Sequence, residues 1–333
     1  MIRRRSLAAA VVTTALTVVM LTGSTTPGHA ATTPRVTLNI GVLKIAALAS
    51  VEAAQKLGYF DKEGLDVNLT TANNGNDLMT AMQSGKLDII LAIPGVAMRA
   101  DEKGYDATLV FQNELAHDKS PDTGALIVKN DSSITSVKQL GGKKVAHSGI
   151  GTQAWAAVVD VEMKNGVDPH TVQDLEVSYP QMPGVLAQGL VDAVAAVDPF
   201  TSSILAAKQG RVISWFYIDS VPGQPVGTFW ASRAWVAKNG DIVKRYQTAM
   251  HAAITYMNAH PDDAKRFISD YTGMNADAVR NMTPIRWDDR VSMQAWEQTA
   301  KMLVATHVLD KLPTLSDLIP ANSVDPGKSA PRL

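Results

Sequence analysis

From position 31 onward the chain alternates short apolar, β-rich runs with stretches of helical periodicity. Residues 35–43 (RVTLNIGVL) alternate apolar and polar before turning wholly apolar, as a strand passing into a core would. Residues 47–57 have helical spacing and stop at Gly58. Residues 66–71 (DVNLTT) read as a second strand, closed by Asn73-Asn74-Gly75. Leu78, Met79 and Met82 recur at helical spacing before Gly85, a helix-stopping residue, and residues 87–93 form a third, almost entirely apolar strand. Strand–helix–strand–helix–strand with apolar strands predicts a parallel sheet covered on both faces.

The same pattern returns. Residues 143–147 read as a strand, 152–164 as a helix ending at Asn165-Gly166, and 174–179 (DLEVSY) as a strand. Residues 186–197 (LAQGLVDAVAAV) align with 82–93 (MQSGKLDIILAI) at one offset of 104, pairing Gly85 with Gly189 and Asp88 with Asp192. In each half the glycine is expected to end a helix in the left-handed region and the aspartate to open the next strand. The fold class predicted is therefore α/β, as two lobes of similar build.

Strand-like runs at 108–112 and 125–129 flank a loop at 113–124 and suggest the crossing into the second lobe. Strands at 211–217 and 228–232, separated by a Pro/Gly-rich passage at 221–227, suggest the return. The expected division is 31–124 plus 228–320 for one lobe and 125–227 for the other, with residues 321–333 as a flexible tail. Beyond Asp241 the pattern is helical: Ile242, Tyr246, Met250, Ile254 and Met257 make an apolar stripe, Pro261 opens another helix, and 288–306 a further one. Two lobes joined by two crossings hinge, and the cleft between them is the natural ligand site.

Composition narrows the chemistry. The 333 residues carry 31 basic and 32 acidic side chains, so no global charge favours nucleic acid. Cysteine is absent, which removes disulfides, thiolate metal sites, a cysteine nucleophile and a lipid-anchored N-terminus. Arg3, Arg4 and Arg5 precede an apolar run of roughly 15 residues, shorter than the 20 or so a membrane span needs. Gly28-His29-Ala30 then has the small residues of a cleavage site, so 1–30 reads as a signal peptide; its removal takes the net charge from −1 to −4. The mature chain is expected to be soluble and exported, in the periplasm.

No two histidines stand at His-x-x-x-His spacing, and neither a Gly-x-Ser-x-Gly elbow nor a phosphate-binding Gly-x-x-x-x-Gly-Lys-Ser/Thr loop occurs. No catalytic residue, metal site or cofactor is expected. Asp262-Asp263 and Asp288-Asp289 are explained as acids at helix starts. Gly149-Ile-Gly151-Thr-Gln-Ala154 fits a dinucleotide-binding turn, although that reading wants an acid closing the following strand, and Glu176 lies inside the strand read here. A small anion or polar ligand at the turn, or a purely structural turn, remains open.

Several segments together resemble solute-binding proteins of the nitrate/sulfonate/taurine type of ABC importer. They are residues 58–67 (GYFDKEGLDV), 81–88 (AMQSGKLD), 136–145 (SVKQLGGKKV), Asp198-Pro-Phe200 and 260–264 (HPDDA), in order across most of 35–320. The resemblance implies a type II periplasmic-binding fold: two α/β lobes, a double crossover, and a ligand held by lobe closure. It also implies a permease and an ATPase as partners, beside a chain expected to be monomeric. Family members often carry a tryptophan before the Asp-Pro-Phe turn, where Val197 stands here, which leaves the ligand class open. The thiamin-pyrimidine synthases are similar too, but carry a cysteine-rich iron motif that this chain lacks.

Ligands of open α/β sheets sit beyond the carboxyl ends of the strands. That rule selects Lys44, Ile45 and Ala46 after the first strand, Asn74, Gly75 and Asn76 after the second, and Pro94 and Gly95 after the third. In the other lobe it selects Ser148, Gly149, Gly151, Thr152 and Gln153, then Gln181, then Asp198 and Phe200. Gln112 and Asn113 lie at one crossing and Trp230 at the other. Helix N-termini near Asn76 and Thr152, with Lys44, could hold an oxyanion. Asp198 and Glu114 could instead meet an amine or hydroxyl, or Asp198 could cap the helix after Pro199. The ligand classes carried forward are a sulfonate, taurine or nitrate-like anion and, alternatively, an aromatic carboxylate or pyrimidine-type nutrient. A secreted enzyme using the same cleft is the competing function.

Overall fold

The computed structural model describes residues 35–321; the expected signal peptide and nearly all of the expected tail lie outside them. Two five-stranded mixed sheets form the molecule. The first contains β1 (Val36–Val42), β2 (Leu65–Thr71), β3 (Ile89–Ala92), β4 (Thr108–Leu115) and β10 (Pro225–Ala231). The second contains β5 (Gly124–Lys129), β6 (Lys144–His147), β7 (Gln173–Glu176), β8 (Ala193–Val197) and β9 (Gly210–Ser214).

Their strand orders, β2-β1-β3-β10-β4 and β7-β6-β8-β5-β9, are the same order in two copies. In each sheet the leading strand is parallel to both neighbours, as in β1 with β2 and β3 and in β6 with β7 and β8. The fourth strand is antiparallel in each case, because the chain crosses from β4 into the second sheet at β5 and returns to the first only at β10.

The sequence repeat has a physical counterpart. Gly85 and Gly189 both sit at positive φ, +71° and +68°, where a side chain would be strained. Asp88 accepts the Asn39 amide through Oδ2 at 2.8 Å and donates its own amide to Asn39 O at 2.9 Å. Asp192 does the same with Lys144, at 2.8 Å and 2.9 Å. Each aspartate thus fastens the start of one strand to its parallel neighbour, at the middle of β1 in the first sheet and the start of β6 in the second.

Every residue of β3, β4, β8 and β10 is buried, whereas the edge strands β2 and β7 are largely exposed. The helices Gly240–Ala259 and Pro261–Thr272 cover the first sheet. Val243, Tyr246, Met250, Ile254 and Met257 face inward on the former, so Val243 replaces the expected Ile242 at the head of the stripe. Tyr246 meets Phe60, Phe111 and Phe229 with ring centroids 5.7–6.3 Å apart.

Two expectations about the late helices are corrected. The last long helix is Met293–Ala305, opened by Ser292, so Asp288 and Asp289 lie before it rather than at its start. Asp288 pairs with Arg290, and Asp289 with His251, which accounts for both acids without a helix dipole. Asp262 and Asp263 do occupy the first turn of Pro261–Thr272.

Candidate functional site

The carboxyl ends of the parallel strands in the two sheets, with the starts of antiparallel β5 and β10, surround one cavity of about 60 Å³. From the first sheet come Leu43, Ile45 and Ala47 after β1, Asn74 and Gly75 after β2, Leu91 to Ile93 and Val96 around the end of β3, and Glu114 near the end of β4. From the second come Thr123 ahead of β5, Ser148 and Thr152 after β6, Tyr179 after β7, Val197 and Asp198 at β8, and Tyr217 after β9. Val226 and Ile285 complete the wall.

Two helices begin at this wall. Asn74 caps Gly75–Gln83 by accepting the Asp77 amide, and Thr152 caps Gln153–Lys164 by accepting the Trp155 amide. Their side chains therefore both line the cavity and complete helix ends.

Hydrogen bonds also run across the cleft. The Ala46 amide donates to Asp198 O at 3.0 Å. The Gly95 amide donates to Gln153 Oε1 at 3.0 Å, and Gln153 Nε2 donates to Gln224 Oε1 and Pro225 O, each at 2.8 Å. Arg99 reaches Gly151 O at 3.3 Å.

Of the residues selected from sequence, Ile45, Asn74, Gly75, Ser148, Thr152 and Asp198 line the cavity. Others are placed elsewhere. Lys44 donates to Tyr271 O and lies 4.4 Å from the centroid of that ring, so its charge is drawn to helix Pro261–Thr272. Trp230 is fully buried, bonded through Nε1 to Thr228 Oγ1 and Ala92 O and set edge-on to Trp296. It is core. Gln112 is held by Trp296 Nε1 and by the carbonyls of Asp288 and Arg290; Asn113 is held by Ser50 and Ala47 O. Ala46 and Gln153 serve the cross-cleft bonds, and Pro94 and Gly95 begin helix Pro94–Glu102. Phe200 stacks on Tyr179 with centroids 6.3 Å apart; Gln181 is exposed and bonded to Ser178. Asn76 and Gly149 are not among the cavity's lining residues, although they approach each other across the cleft.

The glycine turn after β6 has its own acid. β7 ends at Glu176, earlier than expected, and its carboxylate accepts the Ile150 amide at 2.8 Å. A protein carboxylate therefore occupies a donor that the dinucleotide or small-anion readings would have offered to a ligand.

The polar character of the cavity is acidic. Thr123 stands at its centre: its hydroxyl donates to Glu114 Oε1 at 3.3 Å, its amide to Asp122 Oδ1 at 2.8 Å, and its carbonyl accepts the Asp198 amide at 2.9 Å. Glu114, Asp122 and Asp198 are 5%, 0% and 3% exposed. Asp198 Oδ1 accepts the Ser202 amide at 2.9 Å, the capping role foreseen for it, while Oδ2 has no hydrogen-bond partner. Asp122 Oδ2 is likewise unpartnered. Gly227 makes room for Glu114: a Cβ there would fall 2.8 Å from Glu114 Cβ.

Loss of water pushes the Glu114 carboxyl up to about 8, with Asp122 and Asp198 adding repulsion. Burial likewise lifts Asp198 to about 7, against the opposing bonds from Ser202. Burial also raises Asp122, partly offset by the Thr123 and His117 amides. The Tyr179 phenol, bonded to Ser148, and the Tyr217 phenol are raised by burial as well. No lysine or arginine is among the lining residues. Among the described residues no group of three or more His, Asp or Glu side chains could hold a metal ion, and no helix is long and apolar enough to cross a membrane.

Paired sheets of this order, with a cavity between their strand ends, define the periplasmic binding protein fold. The alkanesulfonate-binding protein SsuA from Xanthomonas axonopodis pv. citri is similar with a TM-score of 0.69 and 20% identity, over 88% of this chain and 99% of that one. The chain belongs to the NMT1/THI5 like family, whose model matches residues 47–264. It is 25% identical over 215 residues to the putative binding protein YtlA of Bacillus subtilis (strain 168), covering 64% of this chain and 63% of YtlA. It is 24% identical over 219 residues to the 4-amino-5-hydroxymethyl-2-methylpyrimidine phosphate synthase of Schizosaccharomyces pombe, covering 62% of this chain and 61% of the synthase.

Proposed function

We propose that this chain is the extracytoplasmic solute-binding subunit of an ABC importer. In this reading the expected lobes, 31–124 with 228–320 and 125–227, close on one small solute, with the boundaries moved to Gly124 and Pro225, where β5 and β10 begin. A transmembrane permease with its ATPase then receives the solute from the closed, monomeric form. The observation that carries the reading is the cavity walled by strand ends of both sheets and bridged by the Ala46–Asp198 and Gly95–Gln153 bonds. A solute touching both walls binds the closed arrangement better than the open one, and only that difference drives closure. The kinship with YtlA and the fold shared with SsuA support it.

Of the two ligand classes, the cavity favours the pyrimidine-type nutrient over a sulfonate, taurine or nitrate. An anion would lose its water in a cavity that offers it no cationic side chain. A nitrogen heterocycle brings donors to those oxygens and a flat apolar body to Leu43, Ile45, Ile93 and Val226. The S. pombe synthase is among the relatives that would support an enzyme, but the chain has no cysteine for the iron motif that the resemblance to such synthases implies.

The reading is tested by denaturing purified protein and identifying the released small molecule by mass spectrometry. Titrating that molecule back is expected to give one saturable site, a smaller radius of gyration by X-ray scattering and no chemical change in the solute. Consumption of the solute by the protein alone would overturn the binding role in favour of catalysis.

A further inference from the structure

Several buried or half-buried carboxylates have their bonds made internally, although Glu162, 1% exposed and outside the cavity, also has an oxygen without a partner. Asp88 and Asp192 bond backbone amides at the far ends of the sheets, Asp174 bonds His147 and Trp155, and Asp288 bonds Arg290. The cavity acids differ. Asp198 lines the cavity, is almost wholly buried, and has one oxygen bonded to Ser202 and the other to nothing. Glu114 lines the same cavity with a single weak bond, from Thr123. Asp122 stands directly behind, again with one free oxygen.

Every element packed against this group can be inspected for a compensating charge. Strand β4 supplies Glu114 and the segment before β5 supplies Asp122. The end of β8 supplies Asp198, while Tyr179 and Tyr217 come from beyond β7 and β9. The basic side chains that act on Asp122 are His117, whose Nε2 meets Pro284 O, and Arg286, which is paired with Asp118; neither lines the cavity. At the helix ends the Asn74 and Thr152 side chains accept the amides of Asp77 and Trp155, the third residue of each helix, and bring no charge of their own. Desolvated acceptor oxygens without donors are costly, and the cheapest compensation is a ligand that brings both donors and positive charge.

We infer that the cavity is built for an organic cation of amidinium or guanidinium type, or a base that becomes one on binding, whose N–H groups bridge Asp198 and Glu114. This rests on the solute-binding reading above and adds the charge and donor pattern of the solute. The remaining wall, Leu43, Ile45, Leu91, Ile93 and Val226, is apolar and suits the carbon body of such a molecule. Binding the cation holds the carboxylates ionised, so it releases protons wherever the free protein keeps them protonated.

Acetamidinium is a small probe with this fork of donors. In isothermal titration and thermal-shift measurements, acetamidinium chloride is expected to bind and to raise the melting temperature relative to sodium chloride of equal ionic strength. Methanesulfonate and nitrate are expected to do neither. Comparing buffers of different ionisation enthalpy near neutral pH is expected to show proton release. Glu114→Gln and Asp198→Asn, each nearly isosteric and checked for an unchanged fold by circular dichroism, are expected to weaken acetamidinium by about tenfold or more, roughly the loss of one charge-assisted bond. Asp88→Asn is expected to leave it unaltered. The inference is overturned if acetamidinium is silent at tens of millimolar, if the cavity variants bind it as well as the parent, or if either anion binds instead. Acetamidinium binding without any fall in radius of gyration would sustain the inference while removing lobe closure.

Discussion

The amino-terminal ends of the strands and their carboxyl-terminal ends carry acids in opposite chemical states. At the former, Asp88 and Asp192 are half-buried, bonded to backbone amides, and repeated in both halves of the molecule. At the latter, Glu114, Asp122 and Asp198 are buried, under-bonded, and gathered at one crossing between the sheets. The duplicated pair belongs to the construction of a sheet, which each half needs once. The unduplicated group contributes nothing comparable to either sheet and raises the cost of folding at neutral pH, the pattern expected of groups retained for a ligand.

The largest effect that sharpens this contrast concerns what the cavity excludes. Trp230→Ala removes a fully buried core side chain and is expected to cost about 3–5 kcal/mol in urea unfolding, as a large-to-small core change does. A loss confined to solute affinity would instead return Trp230 to the ligand wall.

Next is the pH dependence at the cavity. Glu114 has a folded-state pKa of about 8 against an ordinary 4.5, so folded protein keeps a proton that the unfolded chain gives up. Stability from this group is complete below the lower value and is lost as pH rises through the higher one, at up to about 1.4 kcal/mol per pH unit. Asp198 acts in the same sense between 3.8 and about 7. Glu114→Gln is expected to unfold less readily than the parent at pH 8 but not at pH 4, measured by chemical denaturation across that range. Glu162, also raised to about 8 by burial, is common to both proteins and cancels in the difference. Parallel stability–pH curves would break the contrast.

Smaller is the cost at the construction ends. Asp88→Ala and Asp192→Ala each leave a strand amide without its charged acceptor and are expected to lose about 1–3 kcal/mol. The two losses should be similar, with solute affinity unchanged in both. A large difference between them would mean that the halves are alike in backbone only.

Much of the fold was legible in sequence, for identifiable reasons. Strands buried on both faces read as continuous apolar runs, and the Gly85/Asp88 and Gly189/Asp192 pairs mark helix ends and strand starts by φ and by hydrogen bonding. The rule of carboxyl strand ends reached Ile45, Asn74, Thr152 and Asp198 because it needs only strand positions. It failed where side-chain direction mattered. Trp230 and Gln112 turn toward Trp296, on helix Met293–Ala305, and no local pattern links residues so far apart. Tyr179 was missed because it was read as the end of a strand that stops at Glu176, and Tyr217 because a short helix, Phe216–Ser220, was read as strand. Asp122 lies in a loop with no periodicity. Glu114 and Asp198 were legible as partners for an amine or hydroxyl, but that they meet at Thr123 together with Asp122 emerges only in the structure.

Closure on a solute can be measured directly, since the absence of cysteine allows two labels to be placed without background. Tyr105 and Leu190, 49% and 56% exposed, lie beside the first and second sheets respectively. A Tyr105→Cys, Leu190→Cys double variant carrying spin labels is expected to show a shifted and narrowed inter-label distance distribution when the solute released from the purified protein is restored to a stripped sample. Identical distributions with and without bound solute would contradict the two-lobed clamp.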